Sequence, residues 1–216
     1  MNYSQLVTEI QSYTENQFVT ADINTFIQQA EQRVYNSVQL PAFRKNVIGQ
    51  MTAGNKYLTI PTDWLATFSL AVIGLVGGIP SQDGEFTYLL NKDVNFIRQA
   101  YPSPTDAGLP EYYAVFDQNS FILGPTPNYS YYIELHYYYY PESIVIANTT
   151  WLGDNFDSVL LYGSLLEAYT YMKGETDVIT VYKQRYDEAM ALLKQLGDGK
   201  DRGDAYRDGQ VKYPVQ

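Results

Sequence analysis

Few side chains of this sequence are suited to catalysis or metal binding. It has one histidine, His136, and no cysteine. Thiol nucleophiles, disulfides and thiolate metal sites are therefore excluded, and a histidine-based metal site or dyad lacks its other members. His136 lies in a tyrosine-rich run, which favours a structural role. No nucleophile elbow, phosphate-binding loop or dinucleotide fingerprint is present, since Gly74, Gly77 and Gly78 do not fit the last pattern. The sequence predicts no catalytic residue, no metal site and no cofactor.

Acidic side chains leave one kind of chemistry open. Two carboxylates that flank a sugar can cleave a glycosidic bond, and a tyrosine-rich β region can bind sugars. The acidic residues available for such a pair are Asp63, Asp83, Glu85, Asp93, Asp117 and Glu134. Acidic pairs arise by chance in a chain this acidic, so a carbohydrate-binding or glycoside-cleaving protein is kept only as an alternative.

One acidic residue, Glu167, falls among apolar neighbours on a predicted helix. A carboxylate in apolar surroundings requires a partner. Arg33 and Arg185 are the cations on the adjacent predicted helices. We predict a structural ion pair of Glu167 with these arginines that fixes the register of the helices.

The charge balance argues against tight nucleic-acid binding. Twenty-four acidic and fourteen basic residues give a formal net charge of −10, which repels the phosphate backbone. Such a surface still suits a channel through which DNA slides without sequence-specific binding.

The longest apolar run, residues 68–79, is shorter than the about 20 residues that a membrane-spanning helix needs. The N-terminus does not resemble a signal peptide, and we expect no membrane association.

Tyrosine is unusually frequent, with 22 residues against 9 Phe and 2 Trp. Its large contact area, small loss of rotamer entropy and hydroxyl group suit surfaces that become buried on assembly. Tyrosine also fills β-sheet positions. The sequence leaves both roles open for any single residue.

Helical periodicity marks both ends of the chain. Apolar residues spaced three and four apart predict helices over residues 3–16, 21–38, 154–173 and 177–196. The expected N-caps are Ser4, Thr20 or Asp22, and Asp154. Gly197 is expected to end the last helix. The third helix is apolar nearly all round, which predicts a central position in its bundle.

The residues between these helices show the period of two that is typical of strands. Residues 112–116 and 121–123 predict a hairpin, and residues 131–140 predict a long strand. The pair Gly54-Asn55 predicts a second hairpin, which leads into a strand at 57–60. Further expectations are a strand pair or bent strand over 65–79, a short strand over 86–90, a short helix over 93–100 and an exposed loop over 101–110.

These elements predict an α+β protein. We expect the terminal helices to form an antiparallel helical bundle, with a β-rich, antiparallel-sheet insertion between helix 2 and the C-terminal helix pair. The predicted segments are N-terminal helices at 1–42, the β-rich insertion at 43–150, C-terminal helices at 151–198 and an extended docking tail at 199–216.

The last segment is richer in basic residues than the rest of the chain. Two tyrosines lie among cationic side chains in it, as in peptides that become ordered on a partner. The candidate docking residues are Arg202, Tyr206, Arg207, Lys212 and Tyr213. An ordinary frayed terminus accounts for the same composition.

Three blocks of sequence carry a family resemblance. They are TENQFVTADINTFIQQAEQRVYNSVQLPAFRK, then YLTIPTDWLA, and finally YPESI with the TTWLGDNFDSVLLYGSLLEAYTYMKGETDVITVYKQRYDEAMALLK that follows. The last block has an aromatic-leucine pair before a LLYxxLLEAY helix, and Tyr182 and Tyr186 four residues apart. In this order the blocks resemble the head-to-tail adaptor proteins of tailed bacteriophages, also called connector or neck proteins.

The resemblance implies a structural, non-enzymatic virion protein. It implies a ring, commonly of twelve copies, in the neck between the capsid portal and the tail, assembled in the host cytoplasm. The implied partners are further copies of the chain, the portal protein, and a tail nozzle or tail-tube protein, while packaged DNA passes through. The helical bundle would carry ring contacts, the β insertion would face tail components, and the tail from Gly199 would dock on the portal. Another tail or nozzle component is the nearest alternative.

Overall fold

The computed structural model describes residues 1–103 and 105–201, with the backbone alone for 198–201. Helices and sheets are both present in it, which confirms the α+β class. The chain folds into two compact units. Unit 1 consists of Met1–Phe43 and of the chain from Pro141 onward, and unit 2 consists of Arg44–Tyr140.

The helices are concentrated in unit 1. In chain order the described helices are α1 (Tyr3–Thr14), α2 (Thr20–Ser37), α3 (Val94–Ala100), α4 (Ile144–Ala147), α5 (Trp151–Asn155), α6 (Asp157–Met172) and α7 (Thr176–Asp201), with a 3₁₀ turn at Pro41–Phe43. Of these, α3 alone belongs to unit 2.

All described strands belong to unit 2. They are β1 (Arg44–Gln50), β2 (Tyr57–Thr59), β3 (Trp64–Ile73), β4 (Leu75–Val76), β5 (Ile79–Pro80), β6 (Phe86–Tyr88), β7 (Leu90–Asn91), β8 (Ala107–Gly108), β9 (Tyr112–Asp117), β10 (Ser120–Gly124), β11 (Thr126–Pro127) and β12 (Tyr132–Tyr139).

Helix α6 is the centre of unit 1. It contacts α1, α2, α5 and α7, because its surface is apolar on nearly all sides. Leu160 and Leu165 are buried in the same core as Ile27 of α2 and Leu193 of α7. A Cβ atom at Gly163 would lie 3.0 Å from the Ala30 methyl and 3.2 Å from the Tyr186 ring. The absence of a side chain at Gly163 therefore lets α6 lie close to two neighbouring helices.

Two of the predicted helix starts need correction. The N-cap of α1 is Asn2 rather than Ser4, because Asn2 and Gln5 form a reciprocal capping box. Helix α2 begins at Thr20 after Val19, with no side-chain cap.

The predicted start at Asp154 is also wrong. Asp154 lies inside α5, a short helix whose N-cap is Thr150, and the non-helical backbone of Phe156 separates α5 from α6. Gly197 does not end the last helix, since α7 continues to Asp201. Helix α4 was not predicted, because four residues are too few to show a helical period.

Unit 2 contains two four-stranded sheets. The first has the order β1-β12-β3-β6 and the second has the order β2-β10-β9-β7. Leu70, Val72, Ile133 and Leu135 on one face of the first sheet share a core with Phe121 of the second. The predicted hairpin of β9 and β10 and the predicted long strand β12 are both confirmed.

The sheet pairing departs from the sequence expectation in three places. The Gly54-Asn55 turn does not close a hairpin, because β1 pairs with β12 and β2 pairs with β10. The turn instead carries the chain from one sheet to the other. The sheets are not wholly antiparallel, since β7 pairs with β9 and β11 pairs with β8 in parallel. The loop predicted at 101–110 contains β8 and ends at a buried Pro110.

Candidate functional site

The side chains singled out for chemistry in the sequence are placed as follows. Within residues 1–103 and 105–201, histidine and acidic side chains do not gather into a group able to hold a metal ion. His136 packs its ring against Phe68, with ring centroids 5.0 Å apart. Next to it, the Arg44 guanidinium lies 4.0 Å from the Phe68 centroid and donates a hydrogen bond of 2.6 Å to the Tyr138 hydroxyl. His136 thus borders a cation–π cluster.

Three of the carboxylates considered for sugar cleavage have structural partners. Asp93 is the N-cap of α3 and accepts a hydrogen bond of 2.7 Å from the Asn95 amide. Asp117 accepts one of 2.7 Å from the Asn119 amide in the turn between β9 and β10. These bonds explain Asp93 and Asp117 without catalysis.

Asp63 is the third of these carboxylates. It accepts hydrogen bonds from the Lys45 ammonium at 2.5 Å and from the Tyr137 hydroxyl at 2.8 Å. Partial burial raises the pKa of Asp63, but the bonds from Lys45 and Tyr137 outweigh it, so the pKa lies below its ordinary value of 3.8. Burial, together with the Asp63 carboxylate, raises the pKa of Tyr137 to about 12. Asp63 therefore remains ionised, whereas a glycosidase acid must hold a proton.

The structure places one of the two predicted arginines beside Glu167. Arg33 of α2 donates a hydrogen bond to the Glu167 carboxylate of α6. The side chain of Arg33 is 45% exposed and that of Glu167 is 18% exposed, so the pair lies at the margin of the core. Arg185 instead bonds Glu188 on its own helix, at 3.4 Å.

The most buried carboxylate of the described residues, Glu31, was not predicted from the sequence. Glu31 is 3% exposed and accepts a hydrogen bond of 2.8 Å from the Ile144 amide at the start of α4. Burial raises its pKa above 4.5, although the bonds from Ile144 and Ser143 act in the opposite direction. A signal was present in the sequence: Glu31 lies four residues after Ile27 and three before Val34, on the apolar stripe of α2.

The tyrosines divide between core and surface. Tyr35, Tyr113, Tyr131, Tyr137, Tyr138 and Tyr186 are buried, whereas Tyr13, Tyr57, Tyr88, Tyr129, Tyr140 and Tyr171 are exposed. The buried group includes both helical and strand positions, so tyrosine is not only a sheet filler. The exposed group leaves aromatic area available for contact with other molecules.

The predicted docking residues Arg202, Tyr206, Arg207, Lys212 and Tyr213 lie outside the described residues. Among the residues that are described, no helix combines the length and the apolar character needed to cross a membrane.

Comparison with known proteins identifies the family. The family described as SU10 adaptor protein matches residues 1–212. A search of curated proteins found no match. The family match spans the helices and strands of both units, and it confirms the resemblance to phage head-to-tail adaptors that the ordered sequence blocks carry. The chain belongs to the SU10 adaptor protein family.

Proposed function

We propose that this protein is a head-to-tail adaptor that forms a dodecameric ring between the portal and the tail of a phage virion. The observation that carries the proposal is the family match over residues 1–212. In the neck, the ring would contact the portal on one side and a tail nozzle or tail-tube protein on the other. The protein would be structural rather than catalytic.

Several properties of the chain support this role. The exposed tyrosines offer contact area that is partly polar and therefore tolerates water before assembly. The net charge of −10 opposes adhesion to DNA, which suits a ring that forms part of the DNA exit channel. In this proposal α1, α2, α6 and α7 act as an antiparallel bundle that carries ring contacts, and residues 199–216 dock on the portal.

Co-sedimentation with portal rings of the same virus tests the proposal. We expect the full-length chain to sediment with the portal and to show stacked rings by negative-stain imaging. A chain that ends at Asp201 keeps all described residues and should bind more weakly, because it lacks the aromatic and basic tail.

A matched control separates tail chemistry from tail length. A full-length variant in which Ser replaces all five candidate docking residues keeps the length but loses the predicted anchoring side chains, and it should bind like the truncated chain. Equal binding of all three proteins to portal rings would exclude residues 202–216 as the anchor. Failure of the full-length chain to bind portal rings would contradict the adaptor function itself.

A further inference from the structure

Unit 2 has an apolar groove at one edge of its two sheets. The groove has a volume of about 250 Å³ and lies between β1 and the segment that contains β2, with β12 as its floor. Its lining includes Val47 and Gly49 of β1, Leu58 and Ile60 of the β2 segment, and Ile133 and Leu135 of β12. Strands β1 and β2 are the terminal strands of their sheets. The groove thus lies at one edge of the two sheets.

The strand β1 that borders the groove lacks the usual protection of a sheet edge. It runs for seven residues, six of them exposed, without proline or bulge. Among the described strands it pairs only with β12, so alternate N–H and C=O groups on its other side, from Lys45 to Gln50, can pair with an incoming chain. Its charged residues Arg44 and Lys45 both lie at the first end of the strand, away from Gly49.

Unit 2 also exposes an apolar projection. The strands β4 and β5 form a two-residue hairpin, with Val76 opposite Ile79 and with Gly77 and Gly78 in the turn. Both turn glycines have positive φ, 59° and 82°, as a type I′ turn requires. Val76 is 49% exposed and Ile79 is 69% exposed. The hairpin therefore holds two aliphatic side chains in water at its tip.

The charges beside the groove and beside the hairpin are opposite. Lys56 precedes β2, with its ammonium 5.6 Å from the Tyr57 ring centroid, and it forms no salt bridge with any described residue. Lys45 precedes the groove residues of β1, although Asp63 already neutralises part of its charge. Asp83 and Glu85 follow the end of the hairpin at Pro80 by three and five residues, and both are exposed. Docking of the hairpin in the groove would place acidic side chains near basic ones.

We propose that the hairpin Leu75–Pro80 of one copy docks in the groove between β1 and β2 of a second copy. Val76 and Ile79 would cover the apolar lining, and the hairpin would bond the free edge of β1. Because hairpin and groove are different parts of one chain, the contact is head-to-tail, and repetition of it closes a ring when the rotation permits. The inference deepens the proposed ring and rests on it for the arrangement of copies.

The absence of native cysteine makes the contact testable by disulfide trapping. In the variant with Val47→Cys and Ile79→Cys, one thiol lies on the groove and the other at the hairpin tip. Oxidation of the assembly on portal rings, and of the free protein at high concentration, should give a ladder of covalent trimers and larger species. Each single-cysteine variant can give dimers at most. The pair Val115→Cys and Ile79→Cys, in which Val115 is exposed on β9 outside the groove, is the matched control.

A variant that fills the groove provides a second test of the contact. A Cβ atom at Gly49 would meet only the Ile133 side chain, at an ordinary 3.8 Å, so Gly49→Val should leave the fold intact and occupy the groove. Added to the Val47→Cys, Ile79→Cys protein, it should abolish the ladder without lowering the thermal midpoint.

The outcomes separate this contact from the adaptor function. Portal binding without a ladder, or a ladder no different from that of the Val115 control, would overturn the hairpin contact and leave the adaptor function standing. A groove-dependent ladder without portal binding would support the contact and contradict the adaptor function. Absence of both would overturn both.

Discussion

At the scale of single residues, Glu31 is a buried carboxylate of the described residues whose stability contribution can be tested directly. Replacement by Gln keeps an oxygen for the Ile144 amide and removes the buried charge. Replacement by Ala leaves that amide without its acceptor and should lower the free energy of unfolding by about 1–3 kcal/mol. We therefore expect Glu31→Gln to be at least as stable as the parent at pH 7 and Glu31→Ala to be less stable, as measured by urea denaturation.

The pH dependence of the Glu31 variants provides a second check. Since the folded pKa of Glu31 is raised above 4.5, the folded protein holds this proton more tightly than the unfolded chain does. That contribution to stability is complete below the unfolded pKa and is lost as pH rises through the folded pKa. The advantage of Glu31→Gln over the parent should therefore grow from pH 4 to pH 7. A pH-independent difference would show that folding does not raise the pKa of Glu31.

The stability that Asp63 contributes in unit 2 has the opposite pH dependence to that of Glu31. Tyr137→Phe removes one hydrogen bond that lowers the pKa of Asp63, so the carboxyl pKa measured by NMR should rise toward 3.8. Asp63 stabilises the fold above its unfolded pKa, and this contribution is lost as pH falls through the lower folded pKa. At pH 7 we expect Tyr137→Phe to lower the free energy of unfolding by about 1 kcal/mol, a modest loss because the Asp63 carboxylate is partly solvated. Tyr139→Phe, which keeps the ring beside Lys45, should leave the Asp63 pKa unchanged.

At the scale of elements, the packing of α6 depends on Gly163. Valine at this position would meet Ala30 of α2 and Tyr186 of α7, and such overpacking costs about 1–3 kcal/mol. Gly163→Val should therefore lower the thermal midpoint, as followed by circular dichroism. Lys183→Val places valine at an exposed position of α7 and should have a much smaller effect, although valine lowers helix propensity there and raises it at Gly163. An unchanged thermal midpoint in Gly163→Val would contradict a packing role for Gly163.

The elements also show what the sequence could predict. The four long helices carry their own apolar period, so α1, α2, α6 and α7 could be located from local spacing. Strand partners could not be predicted in the same way, because β1 pairs with β12, which lies almost ninety residues further along the chain. The pair Gly54-Asn55 also has the same local sequence whether it closes a hairpin or connects two sheets. The prediction of the N-cap failed where two candidate capping residues were close together, as with Asn2 and Ser4.

The candidate site was predictable only where it depends on few residues. Arg33 and Arg185 were expected near Glu167 because they are the cations on adjacent predicted helices, but Arg185 contacts Glu188 on its own helix instead. The groove was not predictable, since it forms from β1, β2 and β12, which the chain brings together from three separate segments. The residues that we propose to fill the groove, Val76 and Ile79, flank a Gly-Gly pair in the sequence.

At the scale of the whole molecule, each unit has a core drawn from its own residues. The core around Phe121 and Leu70 is formed entirely by residues of Arg44–Tyr140, and a continuous segment of roughly 100 residues with its own core can fold as a domain. The core of unit 1 joins two separate segments, since Ile27 of α2 packs in the same cluster as Leu165 of α6.

We therefore predict that a fragment comprising residues 44–140 folds on its own, whereas a fragment from Pro141 onward does not, because it lacks α1 and α2. Each unit contains one tryptophan, and Trp64 packs edge-on against Phe121 with ring centroids 5.9 Å apart. Urea should quench or shift Trp64 fluorescence of the 44–140 fragment in one cooperative transition. Phe121→Ala should remove about 3–5 kcal/mol of stability and abolish that transition. A non-cooperative Trp64 signal in the parent fragment would mean that unit 2 requires the rest of the chain to fold.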